Sequence, residues 1–362
     1  MTRSTLAICG GIAAALAFVP AAVRADDGDF TTVTTVASTV PSNGDVNPYG
    51  VARVPATRGN LHAGNILVSN FNNSANLQGT GTTIVQVSPK GEVSLFAQIS
   101  ASSLPGPCPG GVGLTTALVA LRSGWVIVGS LPTTNGVSAT AQAGCLIVLD
   151  SMGTVVETIS DPMVNGPWDM TAREAGKDAV LFVTNVLNGT VAASPNVVNE
   201  GTVLRIVLDV SRKDIPMVDS MTVIGSGFAA RTDPAALVIG PTGVGLGDDG
   251  VLYVADTLNN RIAAIPNAVQ RQTSAGTGTT VSQGGALNGP LGLATGREDV
   301  IATVNSNDGF LVLTRPNGTQ VFKKLLDDTG SPAGAGALFG LEFADDGLYF
   351  VDDASNTLNV LR

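Results

Sequence analysis

The stretch Pro241-Thr-Gly-Val-Gly-Leu-Gly-Asp-Asp-Gly-Val-Leu-Tyr-Val-Ala-Asp-Thr-Leu-Asn-Asn-Arg-Ile262 returns, nearly residue for residue, as Ala337–Asn356. In both copies an apolar run meets an Asp-Asp-Gly turn, a second apolar run follows, and an Asn-bearing turn leads on. Asp-Asp-Gly between apolar runs is a hairpin signal, because Gly supplies the positive φ of a tight turn. A recurring unit of this size constrains the fold more than any single segment can. Aligned on the turn that opens each unit, the copies start at Pro48-Tyr-Gly50, Thr115-Thr-Ala117, Pro167-Trp-Asp169, Pro241-Thr-Gly243, Pro290-Leu-Gly292 and Leu338-Phe-Gly340.

Each opener leads to a β-rich run: Asn65–Asn70, Trp125–Ser130, Val180–Asn185, Val251–Asp256, Val300–Asn305 and Leu348–Asp353. Third runs follow at Thr83–Val87, Cys145–Leu149, Val203–Leu208 and Phe310–Leu313. Fourth runs follow at Val93–Ala97, Val155–Ile159, Met221–Ile224 and Gln320–Leu325. The runs are short, rich in Val, Ile, Leu and Thr, and bounded by turn residues; helical periodicity is nearly absent. Four short strands per unit describe a β-propeller blade, so the chain is expected to be all-β, a six-bladed β-propeller. After Gly340 there is room for only three strands. The β-branched run Phe30–Val36 is therefore expected to complete the last blade, closing the ring and covering an edge that invites aggregation. This predicts one propeller domain over residues 26–362.

Residues 1–25 read as a secretory signal: Arg3, an apolar stretch from Leu6 to Val19, and Val23-Arg24-Ala25 before Asp26. The apolar stretch is short for a membrane span, and no later segment is long and apolar enough for one. Removing the segment takes away Arg3 and Arg24 and shifts the formal charge from −10 to −12. That balance argues against nucleic acid, whose phosphates need a basic footprint. A periplasmic or secreted location is expected. Cys108 and Cys145 are the cysteines that remain, and in an exported chain such a pair is expected to form a disulfide, worth roughly 3–4 kcal/mol in the chain-entropy account.

The Pro241–Ile262 unit resembles the NHL repeat, as does Gly284-Gly-Ala-Leu-Asn-Gly-Pro-Leu-Gly-Leu-Ala294, where that family's outer strand runs into the next opener. The resemblance implies a propeller and leaves its function open, since propellers host binding and catalysis alike. Asn165-Gly-Pro-Trp-Asp169 is faintly similar to the Glu-Gly-Pro-x-Trp opener of gluconolactonase-type propellers, with Asn165 in place of the glutamate. That second resemblance implies a divalent cation in the channel. Asp169, Asn185, Asp256 and Asp353 are the oxygen donors that could hold Ca²⁺.

Zinc chemistry and a Ser-His-Asp triad lack support: His62 is the single histidine, in a Gly/Asn-rich turn expected on the opposite face. Asn70, Ser130, Asn185, Asp256, Asn305 and Asp353 recur at the ends of second strands, where they either fix turns or face a ligand. Tyr49, Trp168 and Phe339 at the openers either plug the channel or contact a ligand. The same-face loops Phe71–Thr82, Leu131–Gly144 and Val186–Gly201 are long, and long loops on a rigid scaffold are where binding concentrates. The leading expectation is a monomeric, non-catalytic recognition scaffold for a small molecule, glycan or protein, with Tyr49, Asn70, Trp168, Asp169, Asn185 and Phe339 facing the ligand. The alternatives are a Ca²⁺-dependent, lactonase-like hydrolase and a structural component of an envelope assembly.

Overall fold

The computed structural model describes Met1, residues 31–211 and residues 215–362. The expected signal segment, Met1 apart, lies outside the described residues, as does Phe30 at the head of the expected closing strand.

Six antiparallel sheets follow one another along the chain. Their inner strands are Val46–Arg53, Leu114–Ala120, Pro167–Ala175, Pro241–Leu246, Pro290–Thr295 and Leu338–Ala344. Each inner strand packs against the next and the last against the first, which closes a ring around a central channel. From each inner strand the chain steps outward through hairpins, as in blade 4 through Leu252–Asp256, Arg261–Ile265 and Thr279–Gln283. The expected all-β six-bladed propeller is thus the observed architecture.

The ring closes as the strand count predicts. Val33–Ser38 pairs with Thr357–Leu361, placing Val33 opposite Leu361 and Ser38 opposite Thr357. Thr35 Oγ1 donates to Asn359 Oδ1 at 2.8 Å across this seam. Apolar side chains of neighbouring blades interdigitate between the sheets. Ile127, Leu146 and Val148 of blade 2, for example, meet Leu181, Val183, Leu204 and Ile206 of blade 3, all fully buried. Each such side chain contributes about 1.5–3 kcal/mol by leaving water.

The opener glycines have a steric cause. A Cβ on Gly243 would lie 2.3 Å from Leu293 N, one on Gly292 1.9 Å from Phe339 O, and one on Gly340 2.2 Å from Tyr49 O. In blades 4, 5 and 6 the inner strand leans onto the backbone of the next at this level, so the slot has no space for a side chain. The ladder to the second strand is interrupted at every opener, as between Pro241 and Val244 or Pro290 and Leu293. In blade 2 the interruption runs from Leu114 to Leu118 and holds one more residue. In blade 3 the slot carries Asp169.

Blade 3 departs from the plan in a second way. Its outer strand, expected over Met221–Ile224, runs from Met217 to Asp233 and folds back as a hairpin onto Leu237–Ile239, giving this sheet five strands.

Candidate functional site

The three long loops and the extra hairpin interlock on one face. Thr133 Oγ1 of the blade 2 loop donates to Gln78 O of the blade 1 loop at 2.5 Å. Gln78 Nε2 donates to Pro234 O in the hairpin at 2.9 Å, and the hydroxyls of Ser194 and Thr232 join the blade 3 loop to it at 2.7 Å. The disulfide expected between Cys108 and Cys145 is present, with the Cα atoms 5.2 Å apart, and ties the approach to blade 2 to its third strand.

Beneath this cap the channel is sealed. Tyr49 stacks between Phe71 and Phe339, with centroids 4.4 and 3.8 Å apart. Trp168 Nε1 donates to Val238 O at 3.0 Å, and Leu237, Val238 and Ile239 fill the remaining space. Of the two roles open to Tyr49, Trp168 and Phe339, the structure favours the plug, since all three are buried among apolar side chains. Burial pushes the Tyr49 phenol well above its ordinary range, with Asp353 adding to the effect and Asn47 opposing it.

The recurring polar residues fix turns. Asn70 Nδ2 donates to Thr39 O at 3.0 Å, and Asn185 Oδ1 accepts from Gly166 N at 3.3 Å. Ser130 Oγ donates to Gly111 O at 2.8 Å, and Asn305 Nδ2 donates to Ala286 O at 2.9 Å. Asp256 is fully buried and takes two bonds from Arg261, Nη2 at 2.8 Å and Nε at 2.9 Å, plus Asn259 Nδ2. In blade 6 the equivalent position is Asp352 and not Asp353: Asp352 pairs with Leu338 as Asp256 pairs with Pro241. Asp353 lies beyond the strand end, and burial, helped by Asp352, pushes its carboxyl up to about 7.

Members of the oxygen set expected to hold Ca²⁺ have partners of their own. Asp256 is engaged by Arg261, Asn185 by the Gly166 turn, and Asp169 lines the channel elsewhere. Among the described residues, no three of His, Cys, Asp and Glu gather closely enough to hold a metal ion. Asn165, in the glutamate's place, donates instead to Asn188 Oδ1 at 2.5 Å. His62 is exposed, with its backbone N–H bonded to Gln86 Oε1 at 3.0 Å.

Between the plug and the opposite face lies a cavity of about 170 Å³, lined by all six inner strands. Side chains grow more exposed along Pro167–Ala175 and Leu338–Ala344 towards the hairpins, so the cavity opens on the face away from the long loops. Asp169 sits in its wall with the carboxylate oxygens accepting from Met170 N at 2.8 Å and Val244 N at 2.9 Å. Burial pushes this carboxyl up to about 8 against the pull of those two bonds, and nearby Glu342 adds to the rise. Glu342, nearer the mouth, is pushed up to about 7 by burial, opposed by Arg53. Arg53 itself is ion-paired with Asp345. Glu342 was not among the residues expected from sequence. Its signal is a carboxylate in the middle of the apolar run Leu338-Phe-Gly-Leu-Glu-Phe343.

No protein family's sequence profile matches this chain, and no curated protein matches it. Solved structures do. A gluconolactonase from Xanthomonas campestris superposes with a TM-score of 0.55 at 12% identity, covering 90% of this chain and 88% of its own. The calcium-binding protein regucalcin from Agrobacterium tumefaciens gives 0.53 at 13% identity, covering 89% and 92%. The PQQ-bound aldose sugar dehydrogenase from Streptomyces coelicolor gives 0.52 at 14%, covering 91% and 98%. Likeness at this identity carries the six-bladed fold.

Proposed function

We propose that the protein is an exported, monomeric, NHL-like propeller that recognises another protein through its long-loop face. The observation that carries this reading is the sealed, charge-poor cap. Loops 71–82, 131–144 and 186–201 contain a single charged residue, Glu200, in a chain of net charge −10. In the hairpin, Arg231 and Asp233 pair with each other at 3.0 Å. The cap exposes Leu77, Val137 and Val197, one from each loop. A surface of amides, hydroxyls and scattered aliphatics, with almost no charge, suits a protein partner of low charge. A sugar-binding face presents rings for stacking, and these three loops hold no aromatic residue other than the buried Phe71. The hydrolase reading is the less favoured one, because Asp256 of its expected cation set is engaged by Arg261. The disulfide is compatible with an oxidising compartment.

The loops cannot serve as a deletion test, because Leu131, Ala141 and Val186 belong to the plug core. Point substitutions test the reading instead. Leu77→Lys, Val137→Lys and Val197→Lys together should abolish retention of the specific partner in a quantitative pull-down from extracts of the source cells. Melting should stay unchanged, and a control carrying Val321→Lys on the outer rim should retain the partner. Equal retention by the triple variant and the wild type sinks the proposal.

A further inference from the structure

The sequence holds three Asn-x-Ser/Thr triplets without proline in the middle: Asn72-Asn-Ser74, Asn188-Gly-Thr190 and Asn317-Gly-Thr319. In an exported chain such a triplet is the acceptor signal for an N-linked sugar, and it serves only where the carboxamide can be reached. The fold withholds two of the three. Asn72 is 2% exposed and gives its Nδ2 to Asn76 Oδ1 at 2.7 Å. Asn188 gives its Nδ2 to Glu200 O at 2.9 Å, and Thr190 is fully buried with its hydroxyl donating to Val186 O. Asn317 is exposed at the tip of the turn between Phe310–Thr314 and Gln320–Leu325, and Thr319 is exposed beside it. Asn317 Oδ1 accepts from Thr319 N at 3.0 Å, while Asn317 Nδ2 and Thr319 Oγ1 bond to no described residue. The turn itself is braced. Gly318 N donates to Arg315 O at 2.8 Å and Arg315 N to Thr319 O at 2.9 Å. Gly318 has φ of 88°, and a Cβ there would lie 2.2 Å from Val281 O of blade 4. The acceptor is therefore held out to solvent on a turn pressed against the neighbouring blade.

We propose that Asn317 carries an N-linked glycan and that Asn72 and Asn188 do not. In the transfer a bond forms between Asn317 Nδ2 and the anomeric carbon of a sugar carried on a lipid diphosphate. The bond from that carbon to the phosphate oxygen breaks, the diphosphate leaves with the electron pair, and the carboxamide gives up one proton. Nothing is oxidised or reduced. The turn joins the third strand of its blade to the fourth, so it lies on the face away from the long loops. A glycan there stands beside the outer strand Gln320–Leu325, where Val321 and Leu325 are exposed on an open edge. A bulky, hydrated group next to such an edge hinders strand pairing with a second molecule. It leaves Leu77, Val137 and Val197 on the cap uncovered. The proposal rests on the export included in the proposed function and is independent of the loop-face partner, whose capture is read in a separate experiment.

Mass spectrometry of the whole protein purified from the source cells tests it, with fragmentation to place any sugar on its residue. The peptide containing Asn317 should carry a discrete glycan mass on the asparagine, and the peptides containing Asn72 and Asn188 should be unmodified. Asn317→Gln and Thr319→Ala should each abolish the added mass, and Thr319→Ser should keep it. All three changes sit in an exposed turn and should leave the melting temperature in place. An unmodified Asn317 in the wild type overturns the proposal. So does a sugar that maps to Thr319 or Asn188, or a mass on Asn317 that survives Thr319→Ala.

Discussion

Trp168 reaches across the mouth of the channel and donates its indole N–H to the backbone oxygen of Val238 at 3.0 Å. The bond links the inner strand of blade 3 to the hairpin that the same blade sends over the ring. One blade thus supplies both the seal and the anchor that holds it. The loops of blades 1 and 2 then brace the hairpin from outside through Gln78 and Thr133. Long loops, which on a propeller suggest an open site, here complete a lid.

Truncating the anchor should cost stability. Trp168→Ala removes a buried indole and leaves a cavity, for a loss of about 3–5 kcal/mol. Trp168→Phe keeps most of the packing and gives up the hydrogen bond, for a loss of about 1 kcal/mol. Urea unfolding of the two variants checks both values. Equal, small effects mean that the indole is not what holds the hairpin down.

Removing residues 31–38 should lower solubility more than it lowers the melting temperature. The strand Val33–Ser38 is mostly exposed, so little apolar burial is lost with it. Its departure leaves the backbone groups of Thr357–Leu361 unpaired along an open edge. Light scattering during a thermal ramp should therefore rise well before that of the intact chain.

The ring was legible because its signals are local and repeated: turn glycines, period-two runs, and a strand count one short at the C-terminal end. The extra hairpin was not. Its turn runs from Asp233 to Leu237, where a leucine and not a glycine or asparagine adopts φ of 60°. Asp233-Pro234 marks the turn, with Asp233 Oδ1 accepting from Ala235 N and Ala236 N, but only the first part of the long outer strand reads as a strand. Asp169 was legible as a departure from the opener glycine, but its direction into a cavity was not. The interruption of the ladder at the opener decides that direction, and sequence spacing does not reveal it. The sequence alone does not separate Asp352 from Asp353, because a one-residue shift in a run of two aspartates is resolved only by the strand register.

Asp256 tests whether the recurring carboxylates are structural. Its partner Arg261 is nearly buried, so Asp256→Ala strands a guanidinium in the interior at a cost of about 3–5 kcal/mol. Adding millimolar Ca²⁺, or stripping with EDTA, should leave the melting temperature of the wild type unchanged, since a ligand that does not bind the folded state cannot stabilise it. A Ca²⁺-dependent rise in melting temperature that disappears in Asp256→Ala contradicts this assignment.

Stability should fall as pH rises through the neutral range. Asp169 at about 8, with Glu342 and Asp353 at about 7, hold protons in the folded state that they release in the unfolded chain. Below about pH 4 both states are protonated and these groups make no difference. Above that point the unfolded chain ionises first, so the folded state binds more protons and unfolding grows easier with each step in pH. The slope per group has an upper limit of about 1.4 kcal/mol per pH unit, and it flattens above about pH 8. Asp346 shifts the other way through Arg362, but its effect is confined below the ordinary aspartate range and leaves this window untouched. Repulsion in a chain of net charge −10 also grows with pH, so the comparison that isolates Asp169 is wild type against Asp169→Asn. Urea unfolding at about pH 5, 6.5 and 8 should show a steeper decline in the wild type than in the variant. Parallel declines would place the proton uptake at groups other than Asp169.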